Sequence, residues 1–214
     1  MPSATPSYDP KRIEAVIFDL GDVLINVDRD RSRRAWSERT RLSADTFDPV
    51  FFGEKLKHRF NAGEVSEEEF FLAVEGRAEK LLRDGCPPRE ELRRIFCEML
   101  SPTAQACSVI SSLKGRLRLA LLSDTDPVHL AHMVSSYPFI ADLEPKILSY
   151  EIGCTKPSPL IYARAVDLIG LAADRCLFLD DKLANVEGAR ALGITSERVE
   201  SPSRLKDLVA PLLG

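Results

Sequence analysis

Acidic and hydroxyl residues in this 214-residue chain stand at the ends of short apolar runs, where carboxylates tend to meet ligands rather than bulk water. Asp19, Gly21 and Asp22 close the run I-E-A-V-I-F-D-L, and Ser123, Asp124, Thr125 and Asp126 follow L-R-L-A-L-L. Glu151 and then Lys156 follow I-L-S, and Asp180 and Asp181 follow C-L-F-L. Carboxylates are hard oxygen ligands and suit Mg²⁺, which binds a few of them and keeps several waters. A carboxylate can also attack phosphorus and form an aspartyl-phosphate. Two anions repel, so such an attack needs a cation between them. Mg²⁺ and a lysine ammonium supply that charge. A hydroxyl and backbone N–H groups can hold the remaining phosphate oxygens.

These residues need elements that bring them together. The run Ile13–Leu20 is short, rich in Ile, Val and Phe, and broken by Gly21. It reads as a strand buried on both faces, hence part of a parallel sheet. From Asp28 to Leu100 the chain is dense in charge and its apolar residues recur at helical spacing. Ser66 followed by Glu67, Glu68 and Glu69 is a helix start with capping-box spacing. Pro87-Pro88 opens another helix, expected over Arg89–Leu100. After Pro102 helix and strand alternate: strands over Leu117–Leu122, Ile147–Ser149, Cys176–Leu179 and near Ile194, with helices between and after them. That alternation means βαβ units. The expected fold is α/β: a Rossmann-like, doubly wound parallel sheet with an inserted all-helical cap. The expected parts are a loose tail over 1–12, a core over 13–27 and 101–214, and a helical cap over 28–100. In such sheets ligands bind beyond the carboxyl ends of the strands, where the residues above stand.

V-I-F-D-L-G-D-V-L, L-L-S-D-T, K-P-S-P-L-I-Y and F-L-D-D-K-L-A-N-V-E-G-A-R-A-L-G-I closely resemble, in order, the four motifs of the haloacid dehalogenase-like hydrolase superfamily. The resemblance covers nearly the whole chain after the tail, and the helical segment lies where that family's smaller cap lies. It implies that Asp19 is the nucleophile, Ser123 the phosphate-binding hydroxyl and Lys156 the lysine of the third motif. It implies that Asp19, the Gly21 carbonyl, Asp180 and Asp181 organise Mg²⁺. Asp124 and Asn185 fall at positions expected to meet substrate. The implied reaction is Mg²⁺-dependent hydrolysis of a small-molecule phosphate.

Two departures refine that expectation. Most phosphatases of the family carry a second Asp two residues after the nucleophile, as general acid and base, and here Gly21 stands there. General acid catalysis typically contributes about 10²- to 10⁴-fold. Asp22 could substitute only if the backbone turns at that point. A subgroup reading F-D-L-G-x-V is the most similar, and it includes sugar-1-phosphate phosphatases and the phosphatase-like domains of epoxide hydrolases. Anomeric phosphates depend less on an acid, so good leaving groups are favoured. The second departure is Asp124, where Asn is common; its carboxylate repels a phosphate unless it faces away or is paired.

Each residue also has a plainer reading. Asp180-Asp181 could cap a helix, Lys156 could be a solvated loop lysine and Ser123 a turn residue. Their occurrence together at successive strand ends favours a site. Among Arg29, Arg31, Arg33, Arg34, Arg39 and Arg41 most read as a solvated helix face, with one or two lining a cavity under the cap. Trp36 and Phe60 read as cap core; His58, His129 and His132 show no metal spacing.

Hydrophobic residues are 44% and charged residues 29%, which excludes wholesale disorder and a membrane bundle. A net charge of −4 lacks the footprint of a nucleic-acid binder. Five widely spaced cysteines without C-x-x-C read as reduced thiols of a cytoplasmic protein. No membrane and no nucleic-acid partner is expected, and the oligomeric state is open. The competing activities are a prenyl diphosphate phosphatase with a long apolar cavity, a metal-free 2-haloacid dehalogenase, and a silent binding protein. The adjacent acids Asp180-Asp181 speak against the dehalogenase.

Overall fold

The structure, a computed structural model, describes residues 8–82 and 85–214. In chain order its elements are β1 (Ala15–Phe18), β2 (Ile25–Val27), α1 (Arg29–Thr40), α2 (Phe47–Phe52), α3 (Leu56–Asn61), α4 (Glu67–Glu79) and α5 (Arg89–Cys97). They continue as β3 (Leu100–Pro102), α6 (Ala106–Leu113), β4 (Arg118–Ser123), α7 (Pro127–Ser136), β5 (Lys146–Leu148) and α8 (Ser149–Ile152). The last are α9 (Pro159–Ile169), β6 (Cys176–Asp180), α10 (Leu183–Arg190), β7 (Thr195–Arg198) and α11 (Leu205–Val209).

Five strands form one parallel sheet in the order β5-β4-β1-β6-β7. β1 is central and buried along its whole length, as its unbroken apolar run requires. Strand alternation divides the core in two. Val16, Phe18, Leu121 and Leu179 pack on one face, and Ala15, Ile17, Leu122 and Phe178 on the other. Phe18 is level with Leu121 and with Leu179, which sets Asp19, just past β1, beside Leu122 of β4 and Asp180 at the end of β6.

The helical insert leaves and rejoins the core through a two-stranded antiparallel ribbon, in which β2 pairs with β3. This corrects the helix expected over Arg89–Leu100: α5 ends at Cys97 so that Leu100–Pro102 can pair with Ile25–Val27. The Ser66–Glu69 capping box is formed at the start of α4. Trp36, Phe47, Phe51, Phe60, Phe70 and Phe96 fill the insert and run without a break into the core beneath it. Of the loose tail expected over 1–12, the described part, 8–12, is held against the chain. Residues 1–7 lie outside the described residues, whereas Tyr8 donates to the Leu208 carbonyl at 2.7 Å and Pro10–Arg12 form a turn capped by Asp9.

The insert is seated tightly where the segment after α3 meets α8. Gly63 has φ +70°, and a Cβ there would lie 2.3 Å from the Tyr150 carbonyl oxygen. An L-residue in that backbone region costs about 1–2 kcal/mol before any clash. Gly63→Ala is therefore expected to destabilise the protein by more than about 2 kcal/mol, read as a lowered urea midpoint with unchanged slope.

Candidate active site

Asp19 follows β1, and its N–H donates to the Leu179 carbonyl at 3.0 Å, which holds it level with Asp180. Lys156 arrives from the segment between α8 and α9. Its side chain is 1% exposed, and its ammonium donates to Asp19 Oδ1 and Asp180 Oδ2, both at 2.7 Å, and to the Leu122 carbonyl at 3.1 Å. A lysine has three N–H donors, and all three are used. Burial works against the ammonium, but Asp19 and Asp180 outweigh it and hold the pKa above the ordinary lysine value. Asp19 itself is pushed up to about 7, first by burial and then by Asp180, against the pull of Lys156.

Asp180 is saturated with donors besides Lys156. It accepts from the Lys182 N–H at 2.8 Å and from Asn185 Nδ2 at 2.9 and 3.0 Å. Asn185, expected at the substrate, instead orients Asp180; it is 4% exposed and sits outside the cleft lining. Asp181 Oδ1 is buried and has no hydrogen-bond partner. Burial raises the pKa of Asp181, as does Asp180 beside it, against the pull of Lys182.

One ligand oxygen from each of Asp19, Asp180 and Asp181 lies within 4.8 Å of the other two. One ammonium against three carboxylates leaves an excess of two negative charges. A divalent hard cation cancels that excess and gives the orphaned Asp181 oxygen a partner, so the donor set fits Mg²⁺. Gly21 lines the same cleft. Space does not demand glycine there, since a Cβ would meet only Val27 Cγ2 at 3.6 Å.

The cleft above these groups has a volume of about 570 Å³ and lies between the sheet edge and the insert. Ser123, 3% exposed, lines it. Asp124 also lines it but is paired: its Oδ1 accepts the Lys156 backbone N–H at 2.9 Å, which ties the loop after β4 to the lysine. Burial raises the Asp124 pKa and Lys156 opposes that rise. The backbone does turn at Asp22, at φ 55°, and its carboxylate accepts the Val27 N–H at 3.2 Å.

Of the six arginines early in the insert, Arg29 and Arg33 line the cleft. Arg33 is neutralised by Asp30 and Asp48, while Arg29 lies 4.3 Å over the Phe52 ring. Trp36 and Phe60 are core, as expected. His129 is a packing residue: it is buried, stacked on Phe96, with Nδ1 3.0 Å from Asp126 and Nε2 3.1 Å from the Phe96 carbonyl. Lys57 and Asn61 of α3 also reach the cleft. Sequence reasoning misses both, since each looks like a solvated helix residue. Asp126 before Pro127 is the available signal, as an N-cap ahead of Pro at N1.

No helix among the described residues is long and apolar enough to cross a membrane. The haloacid dehalogenase-like hydrolase family model matches residues 13–193. The chain is 24% identical over 199 residues to a D-ribitol-5-phosphate phosphatase of Bacteroides thetaiotaomicron, covering 88% of this chain and 93% of the relative. It is 25% identical over 206 residues to a phosphatase of Mycobacterium tuberculosis, covering 91% of each. A crystal structure of a family enzyme from B. thetaiotaomicron, in complex with magnesium and inorganic phosphate, superposes with TM-score 0.73 at 22% identity, covering 87% of this chain and 93% of the other. That structural likeness carries the fold, and the family match spans four of the five sheet strands, the insert and every strand-end residue described above. The chain belongs to the haloacid dehalogenase-like hydrolases.

Proposed function

We propose that this protein is a Mg²⁺-dependent phosphatase acting on a small polyhydroxylated phosphate through an aspartyl-phosphate on Asp19. The observation that carries this is the Asp19, Asp180 and Asp181 cluster, with the Lys156 ammonium bridging the first two at 2.7 Å. Mg²⁺ bound by Asp19, Asp180, Asp181 and the Gly21 carbonyl supplies charge neutralisation between two anions. Asp19 attacks phosphorus in line, the P–O bond to the organic group breaks, and that oxygen leaves with the electron pair. The Ser123 hydroxyl holds a phosphoryl oxygen, and the Lys156 ammonium, bound to Asp19, offsets the charge that builds there. Water then attacks phosphorus, releases phosphate and restores the Asp19 carboxylate. The helical insert acts as a cap that reads the organic part and limits water.

The cleft lining supports the substrate class. On the cap side it presents Asp28, Arg29, Asp30 and Arg33, groups that hydrogen-bond hydroxyls, beside the apolar Phe52, Met99 and Leu100. Two phosphatases are among the relatives, one named for a pentitol phosphate. With Gly21 in place of a second acid, an anomeric phosphate is favoured because its leaving oxygen needs less protonation.

The test is phosphate release across sugar 1-phosphates, pentitol phosphates and prenyl diphosphates, with Mg²⁺ and with EDTA. Release from a polyhydroxylated phosphate is expected with Mg²⁺, falling to background with EDTA and returning when Mg²⁺ is restored. Halide release from a 2-haloacid in EDTA, with no phosphate release from any member, would overturn the reading.

A further inference from the structure

A second group of buried charges joins the insert to the core beside the cleft. Asp126, at the N-cap of α7, is 0% exposed and meets four donors. Its Oδ1 accepts the Val128 and His129 N–H groups at 3.0 and 2.9 Å. Its Oδ2 faces the Lys57 ammonium at 2.5 Å and His129 Nδ1 at 3.0 Å. Lys57 comes from α3 of the insert, and its side chain is 14% exposed. The ammonium also donates to Asn61 Oδ1. Burial raises the Asp126 pKa, but His129 and Lys57 outweigh it and hold the group well below the ordinary carboxylate range.

The contacts continue into the active site. Asn61 Nδ2 donates to the Asp124 carbonyl at 3.3 Å, and the Asn61 carbonyl accepts from Ser149 Oγ at 2.6 Å. Ser149 Oγ in turn accepts the Thr125 N–H at 3.0 Å. The loop Ser123–Asp126 is thereby held by both α3 and α8. Asp124 Oδ1 holds the Lys156 N–H, and the Lys156 ammonium holds Asp19 and Asp180.

We propose that Lys57 is a positioning residue for the phosphoryl-transfer site: by clamping the insert to the loop Ser123–Asp126 it fixes Ser123 and, through Asp124 and Lys156, the nucleophile Asp19. This rests on the phosphatase reading above. The physical reason is that a loop with few fixed partners samples positions in which Ser123 misses the phosphoryl oxygens and Lys156 no longer holds Asp19 in line. A misplacement of about 1 Å can cost about 10²-fold in rate. An ion pair whose carboxylate is fully buried holds geometry better than a solvated one, because that carboxylate cannot turn to water instead.

Lys57→Met alone leaves Asp126 without its ammonium and can unfold the protein, so the informative variants are paired. K57M/D126N removes both charges while Asn keeps the N-cap acceptor. K57Q/D126N restores a neutral hydrogen bond across the junction. The measurements are Tm, kcat and KM on a phosphate ester the wild type hydrolyses, and hydrogen exchange at the Thr125 and Lys156 amides. For K57M/D126N the expected result is a folded protein with kcat lowered roughly 10- to 100-fold, KM changed less than about threefold and faster exchange at both amides. K57Q/D126N is expected to recover most of kcat and of the protection. A folded K57M/D126N with wild-type kcat overturns the proposal, as does a loss confined to KM, which makes Lys57 a substrate contact. If the wild type hydrolyses no phosphate, the phosphatase reading fails separately. Lys57 then has no phosphoryl-transfer site to position and the proposal falls with it, while exchange still shows whether the clamp holds the loop.

Discussion

Asp19→Asn is expected to abolish phosphate release, with kcat reduced by at least about 10⁴-fold, while the protein stays folded. Asn has the size of Asp but lacks the nucleophilic oxygen anion, so no aspartyl-phosphate forms. Stability is expected to move the other way. Asp19 is held at about 7, above its ordinary value, by burial and by Asp180. A carboxyl with a raised folded-state pKa contributes stability that is fully present below the unfolded pKa. That contribution is lost as pH rises through the folded value. Between pH 4 and pH 7, in metal-free buffer, the wild type therefore loses stability that the neutral variant does not, and the Tm of the variant climbs relative to wild type across that window. The wild type quenched during turnover should carry a hydroxylamine-sensitive phosphoryl group that the variant lacks. Activity within tenfold of wild type for Asp19→Asn would place the nucleophile elsewhere.

Lys156→Met should be the most damaging single change to stability. Lys156 Nζ is the shared partner of Asp19 and Asp180, whose side chains are almost wholly out of water. Methionine keeps most of the apolar stem and removes the charge. Two buried carboxylates then face each other without a cation, and breaking a buried ion pair in this way costs about 3–5 kcal/mol. Typical domain stability is about 5–15 kcal/mol, so the loss is a large fraction of the whole. A divalent cation repairs part of it, and added Mg²⁺ should raise the Tm of Lys156→Met by more than that of wild type. Phosphate release should fall to background in the folded fraction, since the ammonium that offsets charge on the phosphoryl oxygens and holds Asp19 is gone. A change below about 1 kcal/mol in urea unfolding would mean that the pair contributes little.

Glycine at position 21 and the acid beside it show how far local reasoning reaches. Asp22 comes near the site only if the backbone turns, and the turn is present, at φ 55°. Asp124 is a similar case: its charge conflicts with phosphate binding unless paired, and the Lys156 N–H pairs it. In both cases residue type poses the question, and only chain direction answers it.

The apolar runs that end at Asp19, Ser123 and Asp180 are visible in the chain because a strand buried on both faces must be apolar throughout. The capping box at Ser66 is visible because its two hydrogen bonds span three residues. These are local constraints, written into neighbouring positions. The strand β3, the Asn185 contact with Asp180 and the Lys57–Asp126 pair are not legible. Each joins residues whose individual types have common solvated or helical uses, and the Asn26–Pro102 and Lys57–Asp126 contacts span 76 and 69 positions. Residue order determined which strands exist and which chemical groups they carry to one edge of the sheet. Which of those groups face a ligand and which hold another side chain in place was decided by packing, because burial makes a charge seek whatever partner lies within reach, and reach is set by the folded chain.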